Sequence, residues 1–356
     1  MAPLRVVGIN FDHMHMGDLL RQVEEHPDAM IAAICDADPR RMATAIETLA
    51  IPPDRVFTDP LQCLAAARPD LVVLCPAPAE HAKYVELVAP FDTHILVEKP
   101  FAASTADARR MIAAMRPGWK LAINWPLTWT PSHVTSKRLL EEGRIGDLVE
   151  IHHYGGNRGP LYHTADKIEV SDEEVERRKP DSWFYKEAHG GGSLIDYLGY
   201  GTTLGSWYQN GAEPIEMTAM VDHAPGIEVD QHSVTVARYA HGLSKFETRW
   251  GTISDPWVQQ PLPKCGFVLV GTKGGISSYD YDDHVTLQRR GGTPEIVPVD
   301  APEPGRRNAI DYMVHRITRD LPIDGPLAPE LSLLGQRMID TALASAKAKR
   351  TLELLP

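Results

Sequence analysis

The chain lacks the features that would place it in a membrane, an oxidising compartment or on a polyanion. No stretch approaches the ~20 consecutive apolar residues that crossing a bilayer requires, so no membrane partner is expected. Cysteine is scarce. Cys35, Cys63, Cys75 and Cys265 are scattered, with no Cys-x-x-Cys pair, and neither a disulfide framework nor a structural zinc site is implied. Positive charge is in deficit, with 36 Lys and Arg against 48 Asp and Glu and a formal net charge of -12. Long-range repulsion therefore disfavours nucleic acid, while a small anion held by local cations stays open. The opening MAPLRVVGIN runs directly into a strand-like segment without a basic-then-apolar leader. A cytoplasmic protein is the expectation. Internal repeats and low-complexity segments are also missing.

What is present is the composition of a globular protein, 43% hydrophobic and 24% charged over 356 residues, enough chain for two domains. The first third alternates short apolar runs (Leu4 to Ile9, Met30 to Cys35, Arg55 to Phe57, Leu71 to Cys75, His94 to Val97) with helical stretches such as His15 to Glu25, Arg40 to Leu49 and His81 to Val88. Nearly continuous apolar runs suit parallel strands buried on both faces. The alternation predicts an α/β fold with a doubly wound, Rossmann-type parallel sheet over residues 1–122. After about Leu121 the pattern changes to alternating strand-like stretches (Val149 to Tyr154, Ile215 to Asp222, Ser233 to Tyr239, Ser244 to Trp250, Gly266 to Gly271, His284 to Arg289). Turns are expected at Ala240-His241-Gly242 and Lys273-Gly274-Gly275. Residues 123–356 thus predict an α+β domain with a large, mostly antiparallel open sheet, one inserted helix around Gly192 to Trp207, and two closing helices.

Strand one leads into Gly8-Ile9-Asn10-Phe11-Asp12-His13, where a dinucleotide-binding domain carries G-x-G-x-x-G. Only the first glycine is present. Asn10, which tolerates positive φ, replaces the second, and His13 replaces the third. Phosphate can still be received by helix-terminal N–H groups, with His13 as a first-turn neighbour. Strand two ends in Asp36, placed to accept from a ribose diol and to repel a 2′-phosphate; NAD is therefore favoured, with NADP the alternative because Arg40 and Arg41 lie close. Asp12-His13-Met14-His15 invites a metal reading, but residues at i and i+2 point to opposite sides of most elements and no further ligand set is apparent. No metal is expected.

Val97-Glu98-Lys99-Pro100, then Glu141-Glu142-Gly143-Arg144-Ile145-Gly146-Asp147, then Gly190-Gly191-Gly192-Ser193-Leu194-Ile195-Asp196, in that order, resemble the glucose–fructose oxidoreductase / inositol dehydrogenase / MocA family across essentially the whole chain. The resemblance implies an N-terminal dinucleotide domain, a C-terminal open-sheet domain, and a homodimer or homotetramer joined through that sheet. It implies Lys99 as the catalytic-site lysine, Glu98 as its cofactor-side neighbour and Asp196 as the active-site aspartate. By the same resemblance, Cys75, Pro76, Pro78 and His81 flank the cofactor and Asn124 lies near the nicotinamide. Many relatives carry histidine four residues after the aspartate, whereas this chain has Tyr200, as some relatives do.

These residues also make chemical sense unaided. Asp196 and Tyr200, at i and i+4, share a helix face. Hydride transfer from an alcohol needs a partner for the hydroxyl proton. A free phenol has a pKa near ~10, and an ammonium such as Lys99 beside Tyr200 is expected to lower it. Tyr197, one residue round the helix from Asp196, is expected to face elsewhere. The loops Gly155 to His163 and Trp183 to Lys186 are expected at the cleft, with Arg158, His163, Trp183 and Lys186 as substrate-binding residues for a polyhydroxylated ring, a uronate or a phosphate. Tyr279 to Asp283 lacks calcium-loop spacing and predicts a solvated hairpin end. The leading functional expectation is an NAD(P)-dependent sugar or polyol dehydrogenase. Two others stand beside it: a redox-neutral enzyme that retains NAD to cleave glycosides or exchange hydride between sugars, and a non-catalytic ligand-sensing regulator.

Overall fold

The computed structural model describes residues 2–356. Strands β1 (Leu4–Ile9), β2 (Ala29–Cys35), β3 (Val56–Phe57), β4 (Leu71–Leu74), β5 (His94–Glu98) and β6 (Leu121–Asn124) form one parallel sheet in the order β3-β2-β1-β4-β5-β6. Their apolar runs explain the arrangement. All residues of β4, β5 and β6 are buried, because helices cover both faces of a doubly wound sheet. The strand order reverses between β1 and β4, which fixes where a ligand can enter. The expected boundary at 122/123 falls inside β6.

The second sheet has nine strands: β7 (Leu148–Asn157), β8 (Glu216–Asp222), β9 (His232–Tyr239), β10 (Gly242–Trp250), β11 (Gly266–Gly271), β12 (Gly274–Tyr279), β13 (His284–Arg289), β14 (Glu295–Pro298) and β15 (Leu352–Glu353). Their order is β14-β13-β12-β11-β7-β10-β9-β8-β15. Among the described residues of this sheet, only the β7–β10 pair is parallel. Buried and less buried residues alternate along β9 and β10, the mark of a sheet covered on one face. That face carries helix Ser193–Tyr208, packed in turn on helix Pro329–Ala348. The hairpin turn expected at Lys273-Gly274-Gly275 lies one residue earlier, at Thr272-Lys273 between β11 and β12, and both glycines belong to β12. A Cβ on Gly274 would strike the main-chain carbonyl of Gln288 on β13, so the glycine serves close strand approach rather than turn geometry.

Helix Ala309–Thr318 returns to the first domain. Ile310, Tyr312, Met313 and Val314 share a buried cluster with Val6, Leu19, Leu71 and Ala122. The end of the chain thereby ties the two sheets together, with a cleft between them.

Candidate active site

The loops leaving β1 and β4 open a crevice at the reversal of strand order. Gly8 lets helix His15–Glu24 approach β1; a Cβ there would lie 2.8 Å from Met16 Sδ. Asn10 adopts φ 68°, and its Oδ1 accepts the Asp12 N–H at 2.7 Å. The Phe11 N–H donates to Asp36 Oδ2 (2.7 Å) and the Asp38 N–H to Asp36 Oδ1 (2.8 Å). The His13 N–H donates to the Cys75 carbonyl (3.0 Å) and the His15 N–H to His13 Nδ1 (3.2 Å). Most N–H groups that a glycine loop would offer to phosphate are thus engaged internally. Side chains supply the positive charge instead. The crevice, about 1030 Å³, is lined by Arg41, Arg177, Arg178 and Lys186 together with the carboxylates of Asp12, Glu80, Asp181 and Glu228, with Arg41 bound to Asp12 and Arg177 to Glu174. This size fits a dinucleotide, and Arg178 and Lys186, which form no ion pair among the described residues, are the cations left to meet its phosphates. Asp36 shapes the turn and keeps lone pairs for a ribose diol. Arg40 faces solvent and pairs with Asp38.

Two cofactor expectations are corrected here. Cys75 is fully buried in the core. His81 is also fully buried, its ring nitrogens 3.0 Å from the carbonyl oxygens of Phe101 and Pro76, and burial lowers its pKa. Both residues brace the loop, and it is Ala77 and Glu80 that reach the crevice. Pro76 is buried against His81, and Pro78 packs on Gly190.

Beyond the crevice, a cavity of about 390 Å³ lies between the domains. Lys99 enters from the end of β5, and Asp196, Tyr197 and Tyr200 from helix Ser193–Tyr208. The Lys99 ammonium meets Asp196 Oδ1 at 2.5 Å, with both side chains nearly buried. Asp196 Oδ2 accepts from the Trp250 indole N–H at 3.0 Å. The Tyr200 ring stands edge-on to Trp125 at 5.5 Å, and Lys99 Nζ lies 5.6 Å from its centre. The three residues expected to act together are together. The expected electrostatics are not. Burial, with the carboxylates of Glu98 and Asp196, pushes the Tyr200 phenol well above its usual range, so Tyr200 is a proton-bearing donor at neutral pH. The single ammonium that was to lower it is already matched by Asp196. Tyr197 is corrected too: it lines the same cavity, 5.8 Å from Tyr200.

His163 lines this cavity, but the other expected substrate residues do not. Arg158 is held by Glu169 and Asp172 and lies over Tyr162. Trp183 donates its indole N–H to the Asp12 carbonyl at 3.0 Å, stacks on Phe184, and with Lys186 lines the nucleotide crevice. Sequence proximity to the glycine run could not reveal which crevice that segment faces. The hairpin at Tyr279–Asp283 is not wholly solvated. Asp280 is buried against His133 Nε2 (2.7 Å), and Asp280 and Tyr281 line the cavity with Trp257. Lys167 Nζ sits 4.2 Å from the Tyr281 ring centre, bridging two loops at the mouth. The positive φ of Tyr281 (63°) is what aims that aromatic ring, and no local sequence signal marks it.

Among the described residues, four residues that line the cavity have a buried polar side-chain atom without a hydrogen-bond partner: Asn124 Oδ1, Trp129 Nε1, Asn157 Oδ1 and His163 Nδ1. Burial, then His15 and Lys99, lower the His163 pKa to about 4, so its ring is neutral. The other amide atom of Asn124 donates to Glu98 Oε2 at 2.7 Å. His13 and His15 do not diverge as their spacing predicted. The chain turns into a helix between them, their rings lie 4.3 Å apart, and His15 Nδ1 is 2.8 Å from Glu98 Oε1.

Residues 4–120 match the model described as oxidoreductase family, NAD-binding Rossmann fold, and residues 133–277 match the C-terminal domain model of the same family. D-apiose dehydrogenase of Paraburkholderia graminis is 35% identical over 119 residues, 33% of this chain and 31% of that protein. Inositol 2-dehydrogenase 2 of Saccharopolyspora erythraea is 32% identical over 133 residues, 37% of this chain and 39% of that protein. The matched stretch thus spans about a third of the length of these curated relatives. Among solved structures, aldose–aldose oxidoreductase from Caulobacter crescentus, complexed with glycerol, superposes with a TM-score of 0.78 at 20% identity, over 99% of this chain and 100% of that one. Levoglucosan dehydrogenase, in complex with NADH and levoglucosan, does so at 0.77 and 16%, over 99% and 100%. These are likenesses of fold. With both domains matched in order, and with the strand topology and the Lys99–Asp196 pair in place, the chain belongs to the glucose–fructose oxidoreductase / inositol dehydrogenase / MocA family of oxidoreductases.

Proposed function

We propose that this protein is an NAD-dependent dehydrogenase that oxidises a secondary alcohol carbon of a sugar or polyol, or reduces the corresponding ketone. The observation that carries this reading is the gathering of Asn124, Asn157 and His163 around the cavity that also holds Lys99, Asp196 and Tyr200. These polar side chains beside aromatic ones suit a polyhydroxylated ring, which supplies both donors and acceptors. The volume suits one sugar ring, with Trp129 and Trp257 offering aromatic faces to its C–H bonds. Residues 1–122 serve the dinucleotide, and residues 123–356 the substrate and assembly.

A bound nicotinamide supplies the hydride acceptor or donor. The chain's own residues handle the proton. Lys99, fixed by Asp196, takes the proton leaving the substrate hydroxyl as it passes one of its own to Asp196 Oδ1. In the reductive direction the proton returns, and Tyr200, which keeps its own proton, donates a hydrogen bond to the developing alkoxide. NAD is the preferred dinucleotide through Asp36, while Arg41, Arg177 and Arg178 in the crevice keep NADP as the alternative arm of the test. Exposed Met220 and Ile296 on the second sheet support assembly as a homodimer or homotetramer through that sheet. The four buried, unpaired cysteines suit a reducing cytoplasm.

The test is a screen of sugars, inositols and uronates for reduction of NAD and NADP, alongside analysis of the purified protein for bound dinucleotide. Turnover with free, exchangeable NAD is the expected result. A retained dinucleotide without net reduction would move the assignment to a redox-neutral enzyme, and no dinucleotide binding at all would sink it.

A further inference from the structure

We propose that His13, His15 and Glu98 form a binding site for one divalent transition-metal ion of the zinc class, at the carboxyl ends of β1 and β5 where the crevice meets the cavity. A ligand atom from each lies within 4.8 Å of the other two. Tetrahedral coordination at about 2.0–2.1 Å needs ligands roughly 3.3 Å apart, so the cluster closes on an ion by small side-chain rotations. Two imidazoles and a carboxylate are a donor set that selects zinc, cobalt or nickel over magnesium or calcium.

Glu98 gives the strongest reason. Its side chain has no solvent exposure, and its ion-pair partner among the described residues is the His15 imidazole, with no lysine or arginine in reach. A buried carboxylate without a cation is expensive. The adjacent Lys99 does not compensate it, because that ammonium is engaged by Asp196. Asn124 fixes the far oxygen, Oε2, at 2.7 Å and leaves Oε1 toward the histidines, the kind of outer hydrogen bond that orients a metal-binding carboxylate. Asp18, lining the same end of the cavity, adds negative charge that an ion offsets.

Three protein ligands leave the fourth position open. His13 and His15 line the cavity that holds Lys99 and His163, so a fourth ligand would come from that side. The inference rests on the reading of this cavity as the substrate site: the ion takes a substrate hydroxyl oxygen there and replaces the water it holds otherwise. No electron transfer is asked of it.

The experiment is titration of the chelator-treated, dialysed full-length protein with Co²⁺ and with Zn²⁺. Expected are one ion per chain, visible bands of tetrahedral cobalt, and at least a hundredfold weaker binding in His13→Gln, His15→Gln and Glu98→Gln. X-ray absorption of the zinc-loaded unmodified protein should give two imidazole nitrogens among N/O ligands, and this arm needs no folded variant. Absence of saturable binding, an all-oxygen or sulfur shell, or unchanged binding in folded variants would each overturn the site. An NADH fluorescence titration of the metal-free protein reads the dehydrogenase proposal separately: ions bound without NADH would sink that proposal alone, and NADH bound without ions would sink this one alone.

Discussion

Removing the charge of Lys99 while keeping its length, Lys99→Met, leaves the Asp196 carboxylate buried with the Trp250 indole N–H as its remaining hydrogen-bond partner. The side chains of the pair are 5% and 8% exposed, so water reaches the stranded carboxylate only from the cavity side. Breaking a buried ion pair from one side costs about 3–5 kcal/mol. Removing both charges avoids that penalty, because Asp196→Asn retains an oxygen for Trp250. The double variant Lys99→Met/Asp196→Asn should therefore lose less than about 1 kcal/mol, giving a coupling energy of at least about 2 kcal/mol across the cycle. Urea denaturation of the wild type, both single variants and the double variant measures this directly. Turnover separates the catalytic role from the structural one: all three variants should lose about 10²–10⁴-fold in rate, including the double variant whose stability is restored. A Lys99→Met protein with the wild-type urea midpoint would refute the buried pair. A double variant with wild-type turnover would remove it from the proton route.

Tyr200→Phe should unfold within about 1 kcal/mol of wild type, since the hydroxyl has no protein hydrogen bond among the described residues, yet lose about 10²-fold or more in turnover; its urea midpoint and rate constants check this. Because burial holds the phenol high, the rate of ketone reduction should show no decline assignable to Tyr200 as pH rises from 7 to 9, and a fall present in the wild type but missing in Tyr200→Phe would contradict it. Asp36→Ala should weaken NAD more than NADP, and should also cost about 1–3 kcal/mol because it strands the Phe11 and Asp38 N–H groups; equal loss for both dinucleotides by fluorescence titration would count against a ribose contact. His153 lies fully buried between Phe246 and Phe267 with neither ring nitrogen paired, and burial lowers its pKa to about 3. Its folded value lies below its unfolded value near ~6.5, so the unfolded state binds the proton first and stability falls as pH drops from about 6.5 toward about 3. The loss to pH 4 is about 3 kcal/mol. His153→Leu should flatten that part of the stability profile, and an unchanged slope would show that other groups set it.

The two sheets were legible because each writes its environment into its residues. Runs such as Leu71-Val72-Val73-Leu74 belong to strands buried on both faces, whereas His232–Tyr239 alternates because one face is covered. Lys99, Asp196 and Tyr200 were legible because the Glu-Lys-Pro and triple-glycine motifs fix their places at a strand end and on one helix face. The destinations of Arg158, Trp183 and Lys186 were not, since a loop residue's direction depends on what the loop packs against. Trp183 turns to the Asp12 carbonyl, 171 residues away in sequence. Nor could spacing anticipate His13 and His15, whose i, i+2 rule assumes a regular element where the chain in fact bends.

The sequence alone determined the βα alternation of the first domain, the sheet character of the second and the family, and it singled out Lys99, Asp196 and Tyr200 as candidates, because these follow from local periodicity and motif. The tertiary structure decided their charge states and partnerships. It matched Lys99 to Asp196, left Tyr200 protonated, drew Tyr281 and Asp280 to the cavity, and gathered two histidines around Glu98. Desolvation and Coulomb energy depend on which groups lie within a few ångströms, and that distance is set by the packing of segments far apart in the chain.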